Sequence, residues 1–516
     1  MQPGARRAAV VGCVLFVAMT GCAGPRVQAK RIGAPAAAVP GEPLLRRDAM
    51  AKAYAHYMRG LLYERQEDMA AAVDEYARAG RYDKRSSAIA IKLGTTYFKK
   101  GDFKQALAEF QNVLTVDPED ITARLLMAVV YATQGDFRSS LRMYEEVLAR
   151  EPLHTQALLN SADLYVLERQ PERAIAAYER VIGQGSEVPY VYFNIGMLYS
   201  QLNRYDEAIP HLETAVRLEP AYVEALLGLG MVYELKGEKL KSQAAYEQAI
   251  RVKPKSPLAH FRLGQMYAER QMYDQALAQF DQVVELNPQI VDVYFEMAHI
   301  YLKRDLTDQS IAVLQKAEPL LVEKSRVYLL LGLAYSLKEN FSEAETYYRK
   351  TLALNPDNDL VYFYLGALYE KQGRRDDART QFYQALKINP RNADACNYIG
   401  YMNAEEGINL EEAVLLIKRA LEVEPENGAY LDSLGWAYFK QGKIDAAIKS
   451  LEEAIRFLND DPVIYDHLGD AWQKKGEPAK ARSFWEKSLE IDPAQDTVRQ
   501  KLDSVPPAAA PTKEKR

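Results

Sequence analysis

The sequence predicts an all-α fold, a right-handed superhelical solenoid of about thirteen helix-turn-helix repeats. Three observations predict it. Position 8 of every 34-residue unit is Gly or Ala, and position 20 is Ala or Ser. Position 11 is tyrosine in eleven of the thirteen units. Prolines recur at multiples of 34 residues: Pro118, Pro152, Pro220, Pro254, Pro288, Pro356 and Pro390.

Each unit reads as a helical hairpin, with a helix A followed by a helix B that ends at the proline of position 32. Small residues at positions 8 and 20 allow the two helices to approach closely, and bulky residues at position 24 fill the space between them. A buried aromatic side chain contributes on the order of 1.5–3 kcal/mol, so one hairpin is not stable alone and must stack on its neighbours. The repeats span residues 53–495: 53–86, 87–120, 121–154, 155–188, 189–222, 223–256, 257–290, 291–324, 325–358, 359–392, 393–427, 428–461 and 462–495.

Two repeats break the pattern. Residues 393–427 contain one extra residue around Gly407-Ile408-Asn409, and Pro319 interrupts the end of the repeat 291–324. The superhelix is expected to change pitch at the first place, and a local distortion is expected at the second. Residues 496–516 are expected to form a polar cap on the last repeat, followed by a disordered, Pro- and Ala-rich tail.

Composition excludes several classes of function. The 516 residues carry a formal net charge of −6, which argues against a nucleic-acid partner. The three cysteines, Cys13, Cys22 and Cys396, are too scattered for a zinc site or a disulfide framework. The sequence contains no HExxH, no GxSxG and no glycine-rich phosphate loop. We therefore expect no enzyme activity, no bound metal and no cofactor.

The N-terminus has the pattern of an export signal: Arg6 and Arg7, an apolar run, and small residues before Cys22. Met19-Thr20-Gly21-Cys22 resembles a lipobox, which implies a signal peptide at 1–21, lipidation of Cys22 and attachment to the membrane through that lipid. Residues 22–52 are expected to be a flexible tether. In a Gram-negative host, the sorting rules of bacterial lipoproteins imply from Ala23 after the cysteine that the protein is at the outer membrane, facing the periplasm. The alternative is an ordinary secretory signal in which Cys22 is incidental.

The period and its columns resemble the tetratricopeptide repeat (TPR), a family of protein-binding scaffolds. In that family helix A lines a concave groove, and positions 2, 5, 6, 9, 12 and 13 face it. The resemblance therefore implies a late groove that would take an extended or helical peptide with apolar anchors and some positive charge. Several of these aromatic residues could instead pack between A helices. The candidate groove residues are Phe363, Tyr364, Asp394, Tyr398, Tyr401, Asp432, Trp436, Phe439, Asp466 and Asp470.

A second binding mode, the two-carboxylate clamp of chaperone-binding TPR proteins, is not supported. Asn160 and Asn194 occupy position 6 in consecutive repeats, but Glu224 and Gly228 stand where the clamp needs cations.

The segments 397–401, 427–436 and 466–470 are similar to a group of proteobacterial TPR lipoproteins, one of which is an adaptor for a C-terminal-processing protease. That resemblance implies an envelope scaffold for a protease or for cell-wall enzymes. A component of a polysaccharide, pilus or surface-protein export system is the main alternative. A cytoplasmic co-chaperone and a sugar-transferring enzyme are more remote ones. Nothing in the sequence decides the oligomeric state.

Overall fold

The computed structural model of this protein describes residues 44–505, and within them the chain forms α-helices, one short 3-10 helix and no strand. These residues divide into two compact units, one ending at Leu263 and one beginning at Gly264. The helices that precede the boundary are α1 (Leu44–Arg65), α2 (Met69–Tyr82), α3 (Ser87–Lys100), α4 (Phe103–Val116), α5 (Ile121–Gln134), α6 (Phe137–Arg150), α7 (Thr155–Leu167), α8 (Pro171–Ile182), α9 (Pro189–Gln201), α10 (Tyr205–Leu218), α11 (Val223–Leu235) and α12 (Lys239–Val252).

The boundary falls within α13 (Pro257–Glu269). After α13 come the B helix of the same repeat and six further hairpins with the same alternation of helix A and helix B, and a short helix ends the described chain. The helices of the second unit are α14 (Tyr273–Leu286), α15 (Val291–Lys303), α16 (Thr307–Ala317), α17 (Ser325–Leu337), α18 (Phe341–Leu354), α19 (Asp359–Lys371), α20 (Arg375–Ile388), α21 (Ala393–Glu406), α22 (Leu410–Val423), α23 (Gly428–Lys440), α24 (Ile444–Phe457), α25 (Pro462–Lys475), α26 (Pro478–Ile491) and α27 (Asp496–Asp503).

The all-α prediction of repeated helix pairs is confirmed, and each predicted repeat holds one A helix and one B helix. The start of the array differs from the prediction, since α1 already begins at Leu44 and so occupies part of the expected tether, residues 22–52. Residues 44–52 contain no proline or glycine and are mostly strong helix formers, which explains the extension. The predicted signal peptide, Cys22, the rest of the tether and the tail after residue 505 lie outside the described residues.

The close approach of helices A and B is visible at positions 8 and 24. A Cβ atom added to Gly366 would lie 2.6 Å from Phe382 Cδ1, and one added to Gly230 would lie 2.5 Å from Tyr246 Cε1. The aromatic ring of helix B thus lies directly on the backbone of helix A. Ala378, at position 20 on the same hairpin, is completely buried. The small columns are therefore required by the ring that covers them.

The turn between helices A and B imposes a second constraint that the column analysis did not detect. Position 15 has a positive φ in all thirteen repeats, within the left-handed region that favours glycine. Glycine stands there in seven repeats, as at Gly373 (φ 72°), and a residue with a Cβ in six, as at Glu339 (φ 58°). Left-handed backbone costs such residues on the order of 1 kcal/mol, so the hairpin holds this turn against local preference.

The tyrosines of position 11 connect neighbouring repeats. In the first unit the hydroxyls of Tyr199 and Tyr233 donate to Glu179 and Glu213 of the preceding B helices, at 2.9 and 2.6 Å. Tyr199 is also covered by the guanidinium of Arg204, 4.6 Å from its ring centroid. The tyrosine hydroxyls therefore form hydrogen bonds from one repeat to the preceding repeat.

The chain departs from the regular hairpin at both places where the sequence pattern breaks. Helix α16 ends at Ala317 and continues as a 3-10 turn, Glu318–Leu320, at Pro319. The extra residue after α21 gives a loop in which Gly407 (φ 69°) and Asn409 (φ 48°) are both left-handed. Within residues 44–505, no helix combines the length and the apolar character needed to cross a membrane.

Replacing Gly366 by alanine tests the ring-on-backbone contact. The added methyl group would overlap Phe382, and overpacking of this kind costs about 1–3 kcal/mol, more than the roughly 1 kcal/mol that alanine gains over glycine in a helix. We expect the free energy of unfolding to fall in urea titrations followed by circular dichroism. Gly80→Ala is the matched control, because its Cβ would meet only Ile89 Cγ2 at 3.7 Å; a stabilisation by both substitutions would contradict this account.

Candidate functional site: a groove lined by tyrosines and carboxylates

The second unit contains an open groove of about 500 Å³, a volume in the range of ligand-binding sites. Helices α21 and α23 form its walls, and residues of α19, α20 and α25 complete its rim. Its lining combines tyrosine rings with carboxylates: Glu370, Arg375, Asp394, Asn397, Tyr398, Tyr401, Met402, Glu405, Glu406, Asn427, Ala429, Tyr430, Asp432, Ser433, Asp461 and Val463.

Helix α21 supplies most of the groove because its opposite face is fixed in the core. Asn392 caps its N-terminus, with its side-chain oxygen accepting from the amide of Ala395 at 3.0 Å. Cys396 and Ile399 are fully buried, as expected for a thiol that acts as a small apolar residue. With that face fixed, helical periodicity turns Tyr398 and Tyr401 towards the groove.

The structure brings four of the ten predicted residues together in the groove: Asp394, Tyr398, Tyr401 and Asp432. Tyr430 is buried. Asp394 accepts a hydrogen bond of 2.6 Å from the Tyr430 hydroxyl. This contact holds α21 to α23 at one end of the groove.

At the other end of the groove, Asp432 bonds to His467 Nδ1 at 2.8 Å. The His467 ring lies 4.1 Å from the ring of Trp436. Asp432 therefore contributes to the wall of the groove while its charge is held by α25.

Phe363 and Tyr364 belong to an aromatic cluster outside this lining. Phe363 packs against Phe382 and Tyr398, with ring centroids 5.7 and 5.6 Å apart, and Tyr364 stacks on Tyr348 at 6.0 Å. These contacts join α19, an A helix, to the B helices α18 and α20 and to the next A helix, α21. Phe363 thus packs between two A helices, as the alternative interpretation of the sequence describes, whereas Tyr364 packs on a B helix.

Trp436 and Phe439 also pack against other side chains and do not line the groove. Their rings stack at 4.9 Å, the indole N–H donates to Glu405, and Trp436 is only 8% exposed. Lys440 lies over the indole ring, 4.8 Å from its centroid. Trp436 is therefore a support of the groove and not a contact surface.

Asp466 and Asp470 are occupied by the chain itself. Lys501 of the terminal helix α27 donates to Asp466 at 2.8 Å and to Asp470 at 2.8 Å. The ten predicted residues therefore do not form one continuous wall, because the cap closes its C-terminal end. Within the segment 496–516, residues Asp496–Asp503 form the helix α27, which packs on the last repeat through Val498.

Electrostatics in and beside the groove follow from burial and from the carboxylates. Burial, with the charges of Glu405 and Asp432, raises the pKa of Tyr401 to about 12, so the tyrosine is neutral at physiological pH. Burial alone would lower the pKa of His467, but the charge and hydrogen bond of Asp432, with the charges of Asp466 and Asp470, outweigh it and raise that pKa above its ordinary value.

Several lining residues were not among the predicted ones. Glu370, Asn397 and Glu405 occupy positions 12, 5 and 13, which are groove columns, so a survey of polar residues on those columns would have found them. Tyr430 and Asp461 occupy positions 3 and 34, and only the packing of α23 and α25 brings them to the rim.

A second groove, of about 540 Å³, lies in the first unit and is mainly apolar. Its polar side chains bond to one another: Tyr178 donates to Asp163, and the amide of Asn194 donates to Tyr178 at 3.0 Å. Burial raises the pKa of Asp163 to about 6, although the hydrogen bonds of Tyr178 and Tyr190 act in the opposite direction. Because these polar groups bond to one another, this groove has fewer free polar groups to select a ligand than the groove between α21 and α23.

Family models agree with this architecture. Models described as tetratricopeptide repeat match residues 125–189, 240–290 and 329–395, residues 189–222, and residues 223–256, and a model described as TPR repeat matches residues 94–135 and 435–476. Together they cover more than half of the 516 residues. The chain belongs to the tetratricopeptide-repeat proteins.

A search of curated protein sequences finds no match. Among solved structures the chain is similar to MamA, at 27% identity over 33% of this chain and 92% of that chain, with a TM-score of 0.32. It is also similar to yeast Tom70, at 17% identity over 88% and 99% of the two chains (TM-score 0.38), and to the APC/C hetero-tetramer Cut9-Hcn1, at 14% identity over 89% and 98% (TM-score 0.42). Likenesses at these TM-scores do not bear on function.

The groove between α21 and α23 offers carboxylate and amide oxygens and aromatic ring faces, and its lining contains no cysteine and no histidine. In the part of the chain from residue 44 to residue 505, no three His, Cys, Asp or Glu side chains are placed to hold a metal ion.

The pair of His467 and Asp432 predicts a pH dependence of stability. Because the pKa of His467 is raised in the folded chain, the pair stabilises the fold fully below the unfolded value of about 6.5, and this contribution is lost as the pH rises through the folded-state value. We expect His467→Gln to reduce the urea midpoint more at about pH 6 than at about pH 9.

His299→Gln in the same unit is the control for that measurement. Burial lowers the pKa of His299, so its protonation opposes folding at low pH, and its replacement should have the opposite pH trend. The same trend for both variants would show that the coupling to Asp432 is not the cause.

Proposed function

We propose that this chain is a non-enzymatic scaffold that binds a segment of a partner protein in the groove between α21 and α23. The observation that carries the proposal is the groove itself, in which the half-buried rings of Tyr398 and Tyr401 lie beside carboxylates. Aromatic rings that keep one face accessible provide large contact areas, and polar groups around them fix orientation. Tetratricopeptide repeats are in general protein-binding modules, which supports the same reading.

We further propose that the scaffold is anchored in the bacterial envelope through a lipid on Cys22, at the outer membrane and facing the periplasm. Support comes from the sequence Met19-Thr20-Gly21-Cys22 after an apolar run, and from Ala23. Two acyl chains on the glycerol are enough for stable attachment. Within the envelope the scaffold would bring a protease or a cell-wall enzyme to its substrate, and a component of an export system is the competing role.

The groove proposal predicts which substitution removes a partner. In crosslinking and capture from membranes of the native host, Tyr401→Ala should lose the proteins that the wild type retains, because it removes a central ring of the groove. Tyr383→Ala is the matched control, since Tyr383 is a 39% exposed tyrosine on α20, outside the groove lining. Circular dichroism confirms that both variants stay helical.

The identity of the captured proteins separates the two roles. A protease or wall hydrolase supports the adaptor, and export proteins support the alternative. Equal capture by the wild type and by both tyrosine variants would refute binding in this groove.

The anchor proposal predicts the behaviour of Cys22→Ser. Without the thiol no lipid can be attached, so the protein should move from the membrane fraction to the soluble fraction and should lose labelling by radioactive palmitate. Cys13→Ser, in the same N-terminal segment, should keep both properties. Unchanged labelling of Cys22→Ser would rule out lipidation at this residue.

A further inference from the structure

The carboxylates of the groove fall into two groups. Glu406 is paired with Arg379 at 2.6 Å, and Asp432 with His467 at 2.8 Å. The other carboxylates of the lining have no ion pair with any residue of the described part of the chain: Glu370, Asp394, Glu405 and Asp461. The lining contains one cation, Arg375, which lies 3.9 Å from Glu406. The groove therefore carries an excess of negative charge that is not neutralised by ion pairs with residues 44–505.

An independent sign of an absent donor comes from Asn397. Its side-chain oxygen Oδ1 is buried, lies in the wall of the groove and has no hydrogen-bond partner. A buried acceptor without a donor costs about 1–3 kcal/mol, so the site is incomplete as it stands. The missing group is an N–H or O–H donor. A cationic donor would also pair the carboxylates, of which Asp394 and Glu405 accept hydrogen bonds only from the neutral groups of Tyr430 and Trp436.

The chain contains its own example of how this requirement is met. Asp466 lies at position 5 and Asp470 at position 9 of the last A helix, α25. Lys501 of the terminal helix α27 places its ammonium 2.8 Å from each carboxylate. Burial alone would lower the pKa of Lys501, but the hydrogen bonds and charges of the two carboxylates raise it. Position 5 of the preceding repeat, Asp432, is likewise bonded to His467. In the repeat before that of Asp432, position 5 is Asn397, and no side chain of the described residues bonds to its Oδ1.

We propose, as a refinement that rests on the function proposed above, that the groove recognises a cationic segment of its partner, with an arginine or lysine side chain inserted between Tyr398 and Tyr401. The inserted cation bonds to Asn397 Oδ1 and to the carboxylate of Asp394, which lies one turn before Asn397 on α21. Glu405 lies about three turns from Asp394 on the same helix and pairs with a second basic residue of the segment. The tyrosine rings cover its aliphatic stem and contact the charge. Glu370 and Asp461, on either side, extend the negative surface along the groove to further basic residues of the same segment.

Fluorescence anisotropy with the purified full-length chain tests this proposal. The probe is a fluorescein-labelled peptide of repeated Leu-Arg-Gly-Ser units, and the matched probe carries citrulline, which has nearly the same shape as arginine and no charge. We expect the citrulline peptide to bind at least about tenfold more weakly, a difference of about 1.4 kcal/mol. Binding of the arginine peptide should also weaken as salt is added.

The groove charges are tested by Glu370→Gln/Asp394→Asn, which should weaken the arginine peptide by about tenfold and leave the citrulline peptide unchanged. The control is Glu452→Gln/Glu453→Gln, which removes the same charge from an exposed position on α24 in the same unit and should have no effect. Asp394→Asn also alters the hydrogen bond from Tyr430. A second groove variant, Glu405→Gln, leaves that bond in place and should also weaken binding of the arginine peptide. Equal binding of both peptides, or equal weakening by the groove and control variants, would overturn the proposal.

The outcome for the charge and the outcome for the scaffold can be told apart. If Tyr401→Ala loses its captured partners while Glu370→Gln/Asp394→Asn keeps them, the groove binds a partner and the cationic segment is wrong. If neither variant changes capture and neither peptide binds, both proposals fail.

Discussion

The structure of each repeat depends on one contact, in which a bulky side chain of helix B lies directly on the backbone of position 8 in helix A. This side chain is an aromatic ring in nine repeats and leucine or isoleucine in the other four, as where Leu212 lies on Gly196. At Gly366 and Phe382 this contact leaves no space for even a methyl group, so the two helices are as close as their backbones allow. This spacing aligns the rest of the hairpin, because position 20 must also be small and the A-to-B turn must reverse the chain sharply. The left-handed residue at position 15 of every repeat is the consequence.

Fixing the hairpin in this way determines which face of helix A remains available. In α21 the face that carries Cys396 and Ile399 is buried, and the face that carries Tyr398 and Tyr401 is left to line the groove. The core residues of the repeat thus set the direction of the groove residues without touching a ligand. Rigid placement of a binding surface by a packed helix is what a scaffold requires, since less conformational entropy is lost when the partner binds.

Charge distinguishes the end of the array from the groove beside it. At the last repeat, Lys501 of α27 neutralises Asp466 and Asp470, and the cap also covers apolar surface through Val498. Between α21 and α23, no cation of the described residues forms an ion pair with the carboxylate of Asp394 or Glu405. An acidic residue on a groove position is therefore part of the structure in the last repeat and, on α21, free to pair with a ligand. The difference arises because α27 supplies a lysine to the last repeat.

The sequence by itself determined the helices, their pairing and the small and aromatic columns, because a residue's position in a 34-residue period fixes its neighbours within a hairpin. It also placed Tyr398, Tyr401, Asp394 and Asp432 on groove columns. Only the tertiary structure decided that Trp436 is buried by stacking on His467, that Lys501 occupies Asp466 and Asp470, and that Tyr430 and Asp461 reach the rim. The physical reason is that a column fixes the direction of a side chain, whereas exposure and charge pairing depend on side chains from other helices, about 35 residues away along the chain in these cases.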